Sequence, residues 1–272
     1  MQPPQSDMNE HDSEIQRRLE LAVTAAREAG AITLRYFRSS DLQVDRKADD
    51  SPVTIADRSS ELHLRQRIAD AFPGDAILGE EFPDQPGTSG FRWVLDPIDG
   101  TKSFIHGVPL YGTLVGVEIG GEAVAGVIHI PALDECAYAA VGHGAWYETA
   151  GKPPQPIHVS QCPQLSQGLF LTSEVRNFTT AGRRAVYDRL ESATRLGRTW
   201  GDCYAYLMVA TGRAEVAIDP LMNPWDAVAL IPVIEEAGGT YTDWEGRHTA
   251  YSGNGVATNR LVLEEVLAIT RP

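Results

Sequence analysis

Two aspartates, Asp96 and Asp99, stand in the string Trp93-Val94-Leu95-Asp96-Pro97-Ile98-Asp99-Gly100-Thr101. The apolar residues before Asp96 read as a buried strand that delivers this carboxylate at its carboxyl edge. Pro97 has no N–H to give a sheet ladder and turns the chain, so Asp99 returns about one turn later. Two carboxylates on one bent turn cannot both stay ionised at close range unless something cationic sits between them. Oxygen-only ligands on a flexible turn suit a hard cation such as Mg2+. Gly100 permits close backbone approach, and Thr101 opens a segment whose first N–H groups suit a phosphate oxygen. One short stretch therefore offers metal ligands on one side and an anion cradle on the other. In a chain with 37 acidic residues a lone D-x-x-D would read as turn and capping residues. The whole string after an apolar strand is much harder to obtain by accident.

The elements that must hold this segment follow from periodicity. A first helix is expected from Glu14 to about Phe37, started by the capping-box pair Ser13 and Gln16, with Ile15, Leu19, Val23 and Ala26 on one face. Residues 1–12 read as a disordered tail, and Lys47 to Ser51 as a mobile polar loop. Thr54 and Asp57 have the T-x-x-D form of a helix cap, so a second helix starts there, with Leu62, Ile68 and Phe72 apolar. Taken alone, Asp57 is an ordinary capping acid. Ala76 to Leu78 is a short buried strand ending at Gly79-Glu80-Glu81, and Pro83 to Gly90 is a loop. Strands are expected at Arg92–Leu95, Tyr111–Ile119, Ala123–Ile130 and Glu135–Val141. A prolyl segment at 151–156 suggests a soft boundary between a part 13–150, carrying the metal and phosphate site, and a part 151–272. The second part alternates strand and helix through Leu169–Ser173, Thr180–Leu190, Cys203–Ala210, Ala214–Ile218, Trp225–Ala237, Thr240–Asp243 and Leu261–Ile269. Pro232 should kink the Trp225–Ala237 helix by freeing the Val228 carbonyl. This order implies an α/β protein (α+β layered) of sheets and helices.

Composition excludes several classes. The 37 acidic against 23 basic residues, a net charge of −14, repel phosphate backbones, so no nucleic acid is expected as partner. With 43% hydrophobic residues there is material for a core, and disorder is excluded for most of the chain. Val108 to Ile130 is broken by Glu118, Glu122 and glycines, so no membrane span is expected. The N-terminus lacks a basic and apolar leader, and Cys136, Cys162 and Cys203 have no paired spacing. Free thiols in a reducing cytoplasm are the expectation. No histidine pair has metal-ligand spacing; His106 reads as a solvated loop residue, and Lys102 as added charge near the cradle or a surface group.

Taken together, these motifs resemble the Mg2+-dependent, lithium-sensitive phosphomonoesterases typified by inositol monophosphatase. The likeness rests on Gly79-Glu80-Glu81, Asp96-Pro97-Ile98-Asp99-Gly100-Thr101, Pro224-Trp225-Asp226 and Glu235-Glu236-Ala237-Gly238-Gly239, in order over Val53 to Gly239. It implies an alternating αβαβα sandwich of the inositol monophosphatase/fructose-1,6-bisphosphatase type, acting on a small phosphate monoester, and a homodimer. It implies Glu80, Asp96, Asp99, Asp226 and the Ile98 carbonyl as ligands of two or three Mg2+ ions, with Mn2+ a possible substitute. It places Asp57 beside Thr101, and a carboxylate there would accept the threonine hydroxyl and orient it. Glu80 and Thr101 would position the attacking water, and the N–H groups of Gly100 and Thr101 would hold the phosphate, without a covalent phosphoenzyme.

Specificity should lie in the second half. Asp202, in Gly201-Asp202-Cys203-Tyr204-Ala205-Tyr206, occupies a position where inositol-specific members tend to be small and uncharged. Asp219 aligns with a family acid that contacts substrate hydroxyls. Two extra acids fit a cationic alcohol better than a neutral polyol, because a buried anion needs a partner. The runs GDCYAYLMVATG and WDAVALIPVIEEAGG resemble the histidinol-phosphate phosphatases of this superfamily. Histidinol phosphate is the expected substrate. An inositol-1-phosphate or broad sugar-phosphate or nucleotide phosphatase is the alternative within the enzyme class, and a catalytically silent metal- or ligand-binding regulator the alternative outside it.

Overall fold

A computed structural model describes residues 5–47 and 51–271, with 5–10 as backbone alone. The chain runs α1 (Gln5–Leu34), β1 (Val44–Arg46), β2 (Pro52–Thr54), α2 (Ile55–Ala71), β3 (Ala76–Gly79), β4 (Phe91–Asp99), α3 (Thr101–Ile105), β5 (Gly112–Ile119), β6 (Glu122–Ile130), β7 (Glu135–Ala140), β8 (Ala145–Thr149) and β9 (Gln155–Pro156). It continues β10 (Leu169–Leu171), α4 (Val175–Thr180), α5 (Arg184–Ala193), β11 (Leu196–Arg198), α6 (Cys203–Ala210), β12 (Val216–Asp219), α7 (Pro224–Ala227), α8 (Leu230–Glu236), β13 (Thr240–Thr242), β14 (Gly255–Thr258) and α9 (Leu263–Thr270). A seven-stranded sheet has the order β3-β4-β5-β6-β7-β8-β9 and a five-stranded sheet the order β11-β10-β12-β14-β13, while β1 and β2 pair separately.

Side chains alternate across a strand, and that alternation builds the layers. Trp93, Leu95, Val115 and Val117 face α1 and α2, packing on Leu19, Ala22, Ala26, Leu64 and Ile68. Val94, Leu114 and Ile128 face the other way, onto α6 and α8, whose Leu207, Val209, Val233 and Ile234 also pack on Ala217 and Tyr241 of the second sheet. The far side of that sheet, through Phe170, Val216 and Ile218, takes Phe178, Leu190 and Val266 of α4, α5 and α9. The result is the expected αβαβα sandwich. The segment expected as a soft boundary closes the edge of the first sheet as β9, and the core between the two sheets draws on both halves.

Several local expectations are corrected. α1 begins at Gln5, so residues 5–12, expected in a disordered tail, are helical there, and Ser13 lies inside the helix instead of capping it. α2 buries Leu64 and Ile68, but Leu62 is 60% exposed. Its inward face also carries Asp57, Ser60 and Glu61, which a search for apolar periodicity passes over. β4 does not stop at Asp96; it continues to Asp99 through a register shift against β5. The Trp225–Ala237 helix divides into α7 and α8 at Val228 and Ala229. Val228 is the residue whose carbonyl Pro232 leaves without a donor. Residues 48–50 of the polar loop lie outside the described residues. Among the described residues no helix is long and apolar enough to cross a membrane.

Candidate active site

The bulge in β4 carries the first corner of the site. Pro97 interrupts the ladder, its carbonyl accepting Thr113 Oγ1 at 3.0 Å, while the Ile98 N–H turns back to Asp96 Oδ1 at 3.0 Å. This tight turn brings Asp96 and Asp99 together. Asp226 arrives from α7, where it forms a reciprocal capping box with Asn223 and accepts that residue's N–H at 2.7 Å. One carboxylate oxygen from each of Asp96, Asp99 and Asp226 lies within 4.8 Å of the others.

Such a cluster is electrostatically frustrated. Burial pushes the Asp96 carboxyl well above the usual range, and the charges of Glu80, Asp99 and Asp226 push it further. Burial, then Asp202 and Asp226, do the same to Asp99. Asp226 is raised to about 7, by burial first and by Glu80, against the opposing N–H of Asn223. No lysine or arginine among the described residues forms an ion pair with these three. An oxygen-only, anionic donor set of this kind, buried at Asp96 and half-buried at Asp99 and Asp226, fits a hard divalent cation.

Helix α2 supplies the second wall. Asp57 is fully buried, and its Oδ2 accepts the Thr54 N–H at 2.8 Å and the Thr54 hydroxyl at 2.6 Å. Its Oδ1 is left for the Thr101 hydroxyl at 3.3 Å, which also reaches the Ile98 carbonyl at 3.0 Å. Asp57 and Thr101 thus meet across 44 residues of sequence. One turn further along α2, fully buried Glu61 accepts the Glu81 N–H at 2.7 Å and Arg65 Nε at 2.8 Å, and Arg65 donates to the Phe82 carbonyl at 3.0 Å. A Cβ on Gly79 would stand 2.1 Å from Glu61 Oε1, which explains the glycine at the head of Gly79-Glu80-Glu81. Glu80 and Glu81 both hold Lys47 Nζ at 2.7 Å. Burial would lower the Lys47 ammonium's pKa, but the two carboxylates outweigh it and raise it. Burial lifts Glu81 to about 7.

The opposite wall comes from the second half. Gly100 (φ 84°) precedes α3, and a Cβ there would lie 2.8 Å from Asp202 Oδ2. Asp202 occupies the N-cap position of α6, yet its side chain caps nothing. Its N–H goes to Ser173 Oγ at 2.8 Å, and burial followed by the charge of Asp219 raises its carboxyl to about 6. Asp219 accepts from Thr172 Oγ1 at 3.0 Å, the Ser173 N–H at 2.9 Å and the Tyr206 hydroxyl at 3.1 Å. A cleft of about 500 Å³ runs past Glu80, Gly100, Thr101, Asp202 and Asp226, and adjoins a recess of about 80 Å³ that reaches Asp99, Tyr206 and Asp219.

The structure brings Asp57, Asp96, Asp99, Gly100, Thr101, Asp202, Asp219 and Asp226 around one cleft. Glu80 alone is turned partly aside, toward Lys47. His106 remains an exposed residue bonded to the Lys102 carbonyl, and Lys102 pairs with Glu174 at the rim. Glu61, Ser173, Asn223 and Lys47 were missed. The i, i+4 run Asp57, Glu61, Arg65 along one face of α2 was the available signal for Glu61.

A carboxylate corner at a bulged strand end, with a helix start directly beside it in an open cleft, suits a phosphate ester and a hard cation. The pattern that describes the inositol monophosphatase family matches residues 14–271. The chain is 44% identical over 240 residues to the histidinol-phosphatase of Chlorobaculum parvum, covering 88% of this chain and 91% of that one. It is 37% identical over 249 residues to the histidinol-phosphatase of Mycobacterium tuberculosis, covering 92% and 96%. Among solved structures it resembles the IMPase of Thermotoga maritima, with TM-score 0.82, 31% identity and coverage of 93% and 96%. The chain belongs to the inositol monophosphatase family. It is a phosphoric monoester hydrolase.

Proposed function

We propose that this enzyme hydrolyses L-histidinol phosphate to L-histidinol and phosphate, a step of histidine biosynthesis, with Mg2+ bound at the carboxylate corner. The observation that carries the substrate is the acidity of the cleft. Its organic end is walled by Asp202 and Asp219, while among the described residues its one basic wall residue, Lys102, is paired with Glu174 at 2.6 Å. A cationic alcohol supplies the charge that this wall lacks; a neutral polyol does not. Relatives named histidinol-phosphatase at 44% and 37% identity support the same reading.

Asp96, Asp99, Asp226, Glu80 and the Ile98 carbonyl are the residues that would hold the metal. Bound there, Mg2+ supplies positive charge for the phosphoryl oxygens and lowers the pKa of a bound water. The protein's own groups do the rest. The Gly100 and Thr101 N–H groups orient the phosphate, leaving phosphorus open to attack in line with the departing alkoxide. Asp57, tied by Thr54, accepts the Thr101 hydroxyl hydrogen, so the Thr101 oxygen presents its lone pair to the attacking water, and Glu80 takes up that water's proton. Glu80 must leave Lys47 for this role. Asp202 and Asp219 form the wall for the amino alcohol. The reading also carries a homodimer in a reducing cytoplasm, where the free cysteines are stable; light scattering on the purified protein tests the dimer.

Purified protein with Mg2+ against histidinol phosphate, inositol 1-phosphate, fructose 1,6-bisphosphate and adenosine 3′,5′-bisphosphate tests the reading. Histidinol phosphate is expected to have the highest kcat/KM. Preference for another ester removes the substrate assignment, and metal binding without turnover of any ester removes the catalytic one.

A further inference from the structure

We propose that Met222 is an oxidation site that sets the capacity of the recess. Hydrogen peroxide converts its thioether to a sulfoxide, the Tyr241 hydroxyl holds the new oxygen, and the alcohol end of the ester is then bound less well. The site stands whichever ester is the substrate.

Access favours this methionine over the others. The chain has four; Met1 and Met8 lie near its amino-terminal end, and Met208 is 8% exposed in the apolar core between the sheets. Met222 is half-buried and lines the recess that reaches Asp99, Tyr206 and Asp219. At about 80 Å³ that recess admits a small peroxide, since a water molecule takes about 30 Å³. A thioether has no proton to lose, so reach by the oxidant decides which methionine reacts.

Pairing favours the oxidised form here. The Met222 sulfur lies 3.3 Å from the Tyr206 hydroxyl and 3.7 Å from the Tyr241 hydroxyl. Tyr206 has one hydrogen to give, and the Asp219 carboxylate at 3.1 Å is the stronger acceptor for it. Tyr241 is fully buried, and the sulfur is the one acceptor its hydroxyl has among the described residues. A thioether is a weak acceptor, so the reduced site leaves a buried phenol poorly paired. An oxygen carried on the sulfur would stand about 2.7 Å from that hydroxyl, a normal O–H···O length, with a bent angle at the oxygen.

The backbone behind the pair decides where the added atom goes. A Cβ on Gly255 would lie 2.2 Å from the Tyr241 hydroxyl oxygen and 2.7 Å from the Met222 sulfur. The Met222 N–H is tied to the Gly253 carbonyl at 3.0 Å. With β14 packed against both groups, the sulfoxide oxygen takes its volume from the recess.

In the reaction a sulfur lone pair attacks one oxygen of hydrogen peroxide, and the S–O bond forms as the O–O bond breaks. The proton on the transferred oxygen passes to the departing hydroxide, which leaves as water. Sulfur gives up an electron pair and the peroxide gains it. A side chain that was apolar and flexible becomes polar.

The test treats full-length, Mg2+-loaded protein with hydrogen peroxide and follows methionine oxidation by peptide mass. Met222 is expected to gain one oxygen at least about tenfold faster than Met208. KM for the ester that the untreated enzyme turns over best should rise about threefold or more, with kcat within about twofold. A methionine sulfoxide reductase should restore KM. Met222→Leu, compared with its own untreated activity, should lose the response to peroxide. Oxidation should cost wild type about 2–4 °C less in melting temperature than it costs Tyr241→Phe, whose sulfoxide has no hydroxyl to hold it. The mass and KM measurements need no variant at 241, so they decide the matter if Tyr241→Phe does not fold. Met208 reacting as fast as Met222, a KM response that survives in Met222→Leu, or equal melting costs with and without the Tyr241 hydroxyl each overturns the proposal. Absence of turnover of any ester removes the catalytic reading instead, and the mass and melting measurements still judge the oxidation site.

Discussion

The two corners of the cleft are built in opposite ways. The metal corner is local: Asp96 and Asp99 share one bulge, and Asp226 is added by a single short helix. Its tension is electrostatic: buried Asp96 and half-buried Asp99 and Asp226 are held together, and among the described residues no lysine or arginine pairs with them. The substrate corner is made by distant segments forced close, Gly100 against Asp202 and Gly201 against Ser173. Its tension is in the backbone, at Asp202, with φ 53°. Under the proposed function a bound cation would relieve the first corner, and a cationic substrate would meet the charge of Asp202 in the second without touching its backbone strain. A site divided this way can keep its chemistry while exchanging substrates, because the two tensions lie on different elements.

The largest effect should come from the metal corner. Asp96→Asn is nearly isosteric, and it removes one charge of a repelling cluster, so the fold should persist and the metal-free protein should melt no lower than wild type. Activity should fall by about 10³-fold or more, the scale of several kcal/mol of lost charge stabilisation. Chelation of wild type should do the same. An active, Mg2+-responsive Asp96→Asn enzyme breaks the assignment of this corner. Next in size is Glu61→Gln, which leaves every proposed ligand in place but weakens the clasp on Gly79-Glu80-Glu81. Mg2+ affinity measured by calorimetry should drop about 10- to 100-fold, as for other residues that orient ligands. Equal affinity would show that α2 does not set the position of Glu80.

The acids of both corners also make the metal-free fold pH-sensitive. Asp226, raised to about 7, and Asp202, raised to about 6, keep protons in the folded protein where the unfolded chain, near 3.8, has lost them. Asp96 and Asp99 are raised as well. The folded state therefore binds more protons between about pH 4 and 7, and stability falls as pH rises through that window. His129, lowered to about 4 by burial, opposes this, since its contribution is lost as pH falls from 6.5 toward 4. Glu81, raised to about 7 by burial, acts with the clustered aspartates, so His129 is outweighed. Metal-free protein should melt at higher temperature near pH 5 than near pH 8, and saturating Mg2+ should remove or reverse the difference. A metal-free protein equally stable at both would show that the clustered carboxylates are not under the stated repulsion.

What the sequence made legible follows the same division. DPIDGT could be read because a proline, a glycine and two acids occupy one turn, where local chemistry dictates both conformation and ligand type. The T-x-x-D start of α2 was readable for the same reason, and the capping box is there. Glu61 was hidden because a buried acid on a helix looks like solvent-facing polarity until the loop it holds is seen. The strands β1, β2, β8, β9, β11 and β14 are not among the expected ones, because segments of two to five residues carry no period of two long enough to count. Asp202 could be named, but not its strain or its contact with Gly100. Those arise from residues about a hundred positions apart, and no spacing rule reaches that far.

The smallest effect is the sharpest test of where selectivity resides. Lys102 and Glu174 pair at 2.6 Å with side chains 68% and 37% exposed, so the pair adds about 0–1 kcal/mol to stability at most. Glu174→Gln should leave the melting temperature nearly unchanged. It frees a positive charge at the rim, within reach of both ends of a bound ester. The freed lysine attracts the phosphate of every substrate alike but repels an ammonium, so it acts on the preference for amino esters rather than on turnover in general. Being exposed, it acts through water and is screened over about 8 Å at physiological salt. The preference for 2-aminoethyl over ethyl phosphate should fall by less than about threefold, and added salt should erase the change. If Glu174→Gln instead abolishes the preference, selectivity belongs to the field of the whole rim rather than to the wall of Asp202 and Asp219.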